Sequence, residues 1–472
     1  MLDVTGFVGR EREIAILDGY LAEARAGAGV MVSMRGRRQV GKSRLIAEFV
    51  ARAGAPAVFF TASRRPPNVE LALFAEAVAA AGVSVPSNLT GAVSGSWEAA
   101  LSLATDAAAP GGPVVVVIDE LPYLVESEPA IEAILQKVWQ TLEGRAVLLV
   151  LIGSDVAMME ALSSYERPLY GRAREMIVRP LSVAEVARMG DLAPAAALDA
   201  YLVIGGFPRL AARWRRRDSV SSFLRRELAD ESSPFVVTGE RTVAAEFPAE
   251  ISARAVLSAI GGGERAYGGI ADRSGVGRTT LDRALGLLAE KLVVQRTTPY
   301  AEPPGTSAAR YAIVDPYLRF WLRFVEPAIA LIARGQADVA ADQVIAGWTS
   351  YRGRAVEQLV RDAIERLLPN ERLGDARFVG SYWTRDNSVE VDLVGGRTAD
   401  RALSVDFVGS IKWRERAPFD ADDLRALTAA RERVPGAGPQ TRLVGVSRSG
   451  FSTDGLDVTL DPADLVDRKS VV

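Results

Sequence analysis

The chain has 472 residues, 49% hydrophobic and 24% charged, and at about 150 residues per domain that length predicts roughly three globular units. It contains neither cysteine nor histidine, which excludes disulfides, Cys/His zinc sites, thiol nucleophiles and every Ser-His or Cys-His catalytic arrangement. The formal net charge of -3 predicts no global attraction to nucleic acid, so such binding would need local patches.

The first ten residues, MLDVTGFVGR, lack a basic segment followed by an apolar core, and no stretch reaches about 18 apolar residues. The expectation is a soluble cytoplasmic protein with no membrane partner. Of the 56 basic residues only five are Lys, at positions 42, 137, 291, 412 and 469, leaving 51 Arg. That bias makes each remaining lysine worth individual attention.

Helical periodicity runs through Glu11–Ala24, and an apolar strand at Val30–Met34 leads through Gly36 into a helix that starts near Lys42. Further strands are expected at Ala57–Thr61, Val114–Ile118 and Ala146–Ile152. Continuous Val/Leu/Ile runs of this kind suit a parallel sheet covered on both faces. From Leu181 to about Glu240 the pattern is helical and Arg-rich, broken at Gly205-Gly206-Phe207-Pro208. Three helices (Ile251–Ile260, Tyr267–Arg273, Arg278–Glu290) and two strands (Leu292–Thr298, Arg310–Val314) predict a winged helix-turn-helix. A connecting helix is expected at Pro327–Trp348. A last α/β unit follows, with helices at Arg354–Leu368 and Ala421–Arg431 and strands at Val389–Val394, Leu403–Ile411 and Arg442–Val446.

Gly36-Arg37-Arg38-Gln39-Val40-Gly41-Lys42-Ser43 matches GxxxxGK[ST] between an expected strand and helix. The glycines let backbone N–H groups close around phosphate oxygens. The helix N-terminus adds partial positive charge, Lys42 reaches the terminal phosphates, and Ser43 supplies a magnesium ligand. The strand ending Ile118-Asp119-Glu120 delivers two carboxylates where such sheets bind ligands. Asp119 is the expected magnesium residue and Glu120 the base for the attacking water.

With Phe7-Val8-Gly9-Arg10-Glu11, Leu151-Ile152-Gly153-Ser154 and Pro168-Leu169-Tyr170-Gly171-Arg172 added to these motifs, the chain resembles the archaeal-type P-loop ATPases. That family is similar to the signal-transducing NTPases of the AAA+-like group. The resemblance spans essentially the whole chain and implies ATP and Mg2+ as cofactors. It also implies a polar sensor role for Ser154, adenine-side positions at Val8, Gly9 and Arg10, and a phosphate-sensing or finger role for Arg172. The domains it suggests are the P-loop ATPase domain at 1–180, a helical lid at 181–245, the winged helix at 246–325, a connecting helix at 326–345 and a nuclease-like α/β domain at 346–472.

The third helix of the winged unit should present Arg278, Thr279, Asp282 and Arg283 outward, either toward DNA or as part of a lid on the nucleotide module. Seven arginines lie between Arg209 and Arg226 against one acid, Asp218. Read at helical spacing, Arg209, Arg213 and Arg216 share a face that could follow a phosphate backbone, or serve only as a solvated or paired surface.

Val389-Glu390-Val391-Asp392-Leu393 followed by Ser410-Ile411-Lys412-Trp413 has the layout of a PD-(D/E)xK restriction-endonuclease-like core. Strand alternation puts Glu390 and Asp392 on one face and Asp406, Ser410 and Lys412 on one face of the neighbouring strand. Glu357 could add a carboxylate. The departure is Ser410, which stands where the related ATPases carry a Glu and is a poor magnesium ligand. Either metal binding is lost, or Glu390 or Asp406 compensates.

Three readings follow. The first is a magnesium-dependent ATPase switch in a DNA-associated process with a degenerate nuclease-like domain. The second is a regulatory switch that binds protein partners, and the third a working metal-dependent nuclease. A homo-oligomer is compatible with each.

Overall fold

The computed structural model describes residues 7–81, 95–106, 112–247, 250–303, 305–399 and 402–466, so Lys469 lies outside the described residues. The chain divides into two compact units, Met1–Pro180 and Leu181–Val472.

In the first unit, strands β1 (Val30–Arg35), β2 (Ala57–Thr61), β3 (Val114–Asp119), β4 (Val147–Gly153) and β5 (Ala173–Ile177) form one parallel sheet in the order β2-β3-β4-β1-β5. The described helices are α1 (Glu11–Arg25), α2 (Lys42–Ala53), α3 (Pro67–Ala80), α4 (Trp97–Asp106), α5 (Leu121–Ser127), α6 (Ile131–Leu142) and α7 (Val156–Leu162). Phe74, Trp97 and Leu135 pack in one core with Val114, Val116, Ile118, Leu149 and Leu151. The alternate residues Val115, Val117, Leu148 and Val150 are also buried. Both faces of β3 and β4 are therefore covered, which is why these strands read as unbroken apolar runs; each such side chain contributes about 1.5–3 kcal/mol on burial. β5 was not expected from its sequence, AREMI, because it is an edge strand on which Arg174 and Glu175 are exposed and only Met176 is buried.

The second unit opens with helices α8 (Val183–Gly190), α9 (Pro194–Ile204), α10 (Pro208–Ala211), α11 (Val220–Leu228) and α12 (Pro234–Glu246). Next come α13 (Ile251–Gly261), α14 (Tyr267–Ser274) and α15 (Arg278–Glu290), followed by the antiparallel pair β6 (Val294–Thr297) and β7 (Arg310–Ile313). Helix α16 (Pro316–Phe320), a π turn, α17 (Glu326–Ile332) and the 31-residue α18 (Ala337–Leu367) lead to a second sheet. Its strands β8 (Phe378–Trp383), β9 (Glu390–Ala399), β10 (Ala402–Lys412), β11 (Arg442–Ser447) and β12 (Val458–Leu460) are ordered β12-β11-β10-β9-β8. β10 to β12 are parallel, and β8 to β10 antiparallel. Helices α19 (Ala421–Arg431) and α20 (Pro462–Val466) complete the unit. No helix among the described residues is long and apolar enough to cross a membrane.

Three expectations are corrected here. The helices expected at Pro327–Trp348 and Arg354–Leu368 divide differently, because the chain turns at Gly335, φ 73°, between α17 and α18, and α18 then continues unbroken through residues 349–353. The stripe of Arg209, Arg213 and Arg216 does not lie on one helix, since α10 ends at Ala211 and α11 starts at Val220. Arg213 instead donates to Glu227 at 2.5 Å and Arg216 pairs with Asp191 at 2.8 Å. Asp406 does not share the face of Ser410, because the β9/β10 register shifts between Val405 and Phe407. Its carboxylate accepts from the Asp375 N–H at 3.3 Å.

The helices and the sheet of this unit are joined by a buried ionic network. Asp199 on α9 accepts from Arg448 at 2.8 Å and Trp413 Nε1 at 3.3 Å, and lies 3.5 Å from Arg352 on α18, whose side chain is 1% exposed. Arg352 also donates to Glu415 at 2.8 Å. Removing one member of such a network strands buried charge. Asp199→Ala should therefore destabilise this unit by about 3–5 kcal/mol, read by calorimetry as a lowered transition, with Asp199→Asn retaining part of the loss.

Candidate functional site

β1 runs into the loop Gly36–Gly41, and α2 begins directly at Lys42. Glycine is needed at position 36 because a Cβ there would overlap the Val178 carbonyl oxygen. Gln39 and Gly41 take φ of 66° and 95°, left-handed backbone of the kind that forms anion-binding nests. Lys42 is buried, and its Nζ donates to the Gly36 and Arg37 carbonyls at 2.7 and 3.1 Å. The next residue, Ser43, donates its hydroxyl to Asp119 Oδ2 at 2.7 Å, while Asp119 Oδ1 accepts the Glu120 N–H at 3.0 Å. Burial pushes the Asp119 carboxyl above its usual range, against the opposing effect of the Ser43 hydrogen bond.

Because β4 lies between β1 and β3, the residue after β4 falls between the phosphate loop and the acidic strand end. That residue is Ser154, whose Oγ lies 2.8 and 2.7 Å from the two Glu120 carboxylate oxygens. Glu120 itself has φ 56°, an unusual conformation for a side chain of this size and one that clusters at functional sites. The expected residues Gly36, Lys42, Ser43, Asp119, Glu120 and Ser154 are thus brought together at one edge of the sheet.

Val8 and Gly9 are tied to the same loop through Arg10, the third residue of that expected adenine-side segment. Arg10, buried and at φ 66°, donates to the Val40 carbonyl at 2.8 Å and pairs with Glu13 at 2.9 Å. Arg38 donates to the Tyr123 hydroxyl at 2.6 Å, and Arg64 stacks over the same ring at 4.1 Å. Gln39 is exposed. Arg172 donates to the Pro168 and Tyr170 carbonyls of its own loop at 2.9 and 3.3 Å.

The donor set fits a nucleotide with magnesium. Backbone amides and an ammonium suit phosphate, and the neighbouring Ser43 hydroxyl and Asp119 carboxylate are hard oxygen donors of the kind magnesium takes alongside phosphate and water.

In the second unit a cavity of about 250 Å³ is lined by Glu357, Glu390 and Asp392 together with six arginines. Asp392 Oδ2 accepts from the Ile411 N–H at 2.8 Å and from the Ser410 hydroxyl at 3.1 Å. Ser410 thus caps the carboxylate that a Glu at this position would have joined. Glu390 is paired with Arg310 at 2.5 Å, and Lys412 lies 3.4 Å from Asp423 on α19. Arg361 lies 3.8 Å from Glu357 and donates to the Asp392 carbonyl at 3.1 Å. Burial, then the charge of Asp392, push the Glu357 carboxyl up to about 7, and burial also raises Asp392.

A raised carboxyl holds its proton more tightly in the folded state, so its contribution to stability is complete below the unfolded value of 4.5 and is lost as pH rises through about 7. Glu357→Gln removes that loss. In the presence of EDTA the variant should gain on the parent by up to about 3 kcal/mol between pH 4 and pH 8, read as a growing positive difference in melting temperature. A difference that does not vary with pH would contradict the assignment.

Residues 7–210 match an ATPase domain found predominantly in Archaea, and residues 321–425 match a family of archaeal and bacterial proteins of unknown function. An uncharacterized protein of Methanocaldococcus jannaschii is 24% identical over 336 residues, covering 70% of this chain and 72% of that one. Among solved structures, the Walker-type ATPase of Pyrococcus abyssi is similar with a TM-score of 0.50 and 20% identity, over 67% of this chain and 96% of that one. The Aeropyrum pernix ORC2 protein, in its ADPNP-ADP complexes, has a TM-score of 0.47 and 16% identity, over 71% and 96% of the two chains. The amino-terminal part of the chain is a P-loop ATPase domain, and the fold is mixed α/β with a parallel five-stranded sheet and a second, carboxy-terminal sheet.

Proposed function

We propose that the chain binds ATP with magnesium at Gly36–Ser43, hydrolyses it slowly, and uses the nucleotide state as a switch in a DNA-associated process. The observation that carries this reading is the joining of Ser43 to Asp119 beside Glu120 and Ser154. In this arrangement Ser43 and Asp119 would hold magnesium, which when bound neutralises developing phosphate charge. The Gly36–Gly41 amides and Lys42 cradle the phosphates, with Val8 and Gly9 at the adenine side. Glu120 takes the proton of the attacking water. While Ser154 shares its one hydroxyl proton between the two Glu120 oxygens, the carboxylate is a weaker base for that task. A bound terminal phosphate offers Ser154 an alternative acceptor and releases the base. Arg172 is the candidate for a further phosphate contact, made after its loop gives up the Pro168 and Tyr170 bonds.

The DNA part of the reading rests on α15, read as the recognition helix of a winged helix with β6 and β7 as the wing. Arg278, Thr279, Asp282 and Arg283 are exposed, and the one acid among them is engaged by the Tyr267 hydroxyl at 2.9 Å. Among the described residues the Arg278 and Arg283 side chains have no ion-pair partner, unlike Arg213 and Arg216. The C-terminal sheet with Glu357, Glu390, Asp392, Ser410 and Lys412 is read as a nuclease-like domain that no longer cuts.

Lys42→Ala should abolish ATP binding in a calorimetric titration, and unchanged affinity would refute the assignment. Glu120→Gln should retain ATP and lower kcat by at least about 100-fold. Ser154→Ala separates the two parts of the switch: release of the base predicts that basal hydrolysis does not fall, whereas loss of a sensor alone predicts a fall comparable to Glu120→Gln. For DNA, affinity should drop steeply with salt, and Arg278→Ala with Arg283→Ala should flatten that slope by about two phosphate contacts.

A further inference from the structure

The carboxylate cavity of the second unit carries more cationic charge than its acids use. Its six arginines, Arg265, Arg310, Arg319, Arg323, Arg354 and Arg361, face only Glu357, Glu390 and Asp392. Arg310 is occupied by Glu390 and Asn387, at 2.5 and 2.7 Å. Arg361 is occupied by the Asp392 carbonyl and Gln358, at 3.1 and 3.3 Å, with Glu357 close by. Arg323 donates to the Gly262 carbonyl, and Arg319 rests on the Tyr351 ring at 5.5 Å. Among the described residues the side chains of Arg265 and Arg354 have neither a hydrogen bond nor an ion pair.

Arg265 is the more telling of these two. It is only partly exposed, and the Tyr311 N–H donates to its carbonyl at 2.8 Å, which fixes its backbone against β7. Burial, then the neighbouring Arg310, oppose its charge and outweigh the opposing pull of Glu357 and Glu390. A guanidinium held in that position without a hydrogen-bonded ion pair is costly unless an anion enters. Planar guanidinium forks match phosphate oxygens in pairs, which an ammonium does not. The remaining wall mixes polar Gln295, Thr297, Ser350 and Ser381 with apolar and aromatic Ile260, Ile313, Tyr311, Tyr351 and Trp383, and apolar lining with a few placed polar groups is typical of small-molecule pockets.

We propose that this cavity recognises the terminal phosphate of a nucleotide, free or at the end of a nucleic-acid strand, with Arg265 and Arg354 as its principal contacts. The proposal rests on the reading of this sheet as nuclease-like but no longer cutting. It gives a use to the Ser410 departure: the hydroxyl that caps Asp392 leaves the site short of a metal-ligating carboxylate, and the arginines remain to hold the phosphate without a metal. It is independent of the ATPase site in the first unit.

The test is fluorescence anisotropy with labelled oligonucleotides carrying a 5′-phosphate, a 3′-phosphate or neither, on the full chain saturated with ADP and magnesium so that the first site is filled. Unlabelled thymidine monophosphate and inorganic phosphate serve as competitors. A strand with one terminal phosphate is expected to bind at least tenfold tighter than the unphosphorylated strand. Arg265→Met should remove that preference while leaving the ATPase rate unchanged, and Arg354→Met, at an exposed position, gives the same readout should the first variant fold poorly. Glu357→Gln should tighten binding at pH 8, because it removes a negative charge from the cavity wall; a merely structural role for Glu357 predicts no such gain. Competition by thymidine monophosphate at full strength identifies a free nucleotide as the ligand, and competition only by the strand identifies a nucleic-acid end. Indifference to the phosphate, or to both arginine substitutions, overturns the proposal. Strand cleavage that disappears in Asp392→Ala overturns instead the reading on which it rests.

Discussion

Much of the first unit depends on the hydrogen bond between Ser43 and Asp119. The two residues are 76 positions apart in sequence, and they meet because β1 and β3 run parallel and end at the same edge. Burial of the Asp119 carboxylate removes most of its solvation, and the Ser43 hydroxyl and the Glu120 amide supply hydrogen bonds in its place. That requirement fixes the start of α2 against the end of β3 and shapes the floor of the phosphate loop. The insertion of β4 between these strands adds the third element, because its end carries Ser154 to the Glu120 carboxylate.

The second unit solves a different problem with the same kind of economy. Its helices and sheet share a buried acid, Asp199, on which two arginines and an indole converge. Around the carboxylate cavity the balance tips the other way, and cations outnumber acids. In the first setting charge is satisfied internally and serves cohesion. In the second, two of the arginines, Arg265 and Arg354, have neither a side-chain hydrogen bond nor an ion pair among the described residues.

The phosphate loop, the IDE strand end and most of the elements could be read from residue order because each is a local pattern. A GxxxxGKS string, a run of Val and Ile, and a 3.6-residue period are all written in neighbouring positions. The misreadings have equally local causes. Arg209, Arg213 and Arg216 looked like one helical face until the break between Ala211 and Val220 separated them. Asp406 looked aligned with Ser410 until a one-residue register shift turned it aside. The edge strand β5 was hidden by its exposed charges.

The sequence by itself determined the chemistry available: no histidine or cysteine, a phosphate loop with its lysine, two carboxylates at a buried strand end, and a serine two residues before Lys412. Those are statements about which groups exist and in what local order. Only the tertiary structure decided which of 51 arginines are spent on neighbours and which face a cavity, that Arg10 braces the phosphate loop, and that Ser154 holds Glu120. Whether a charge is paired depends on distances between residues remote in the chain, and those distances are set by strand order and packing, not by local pattern.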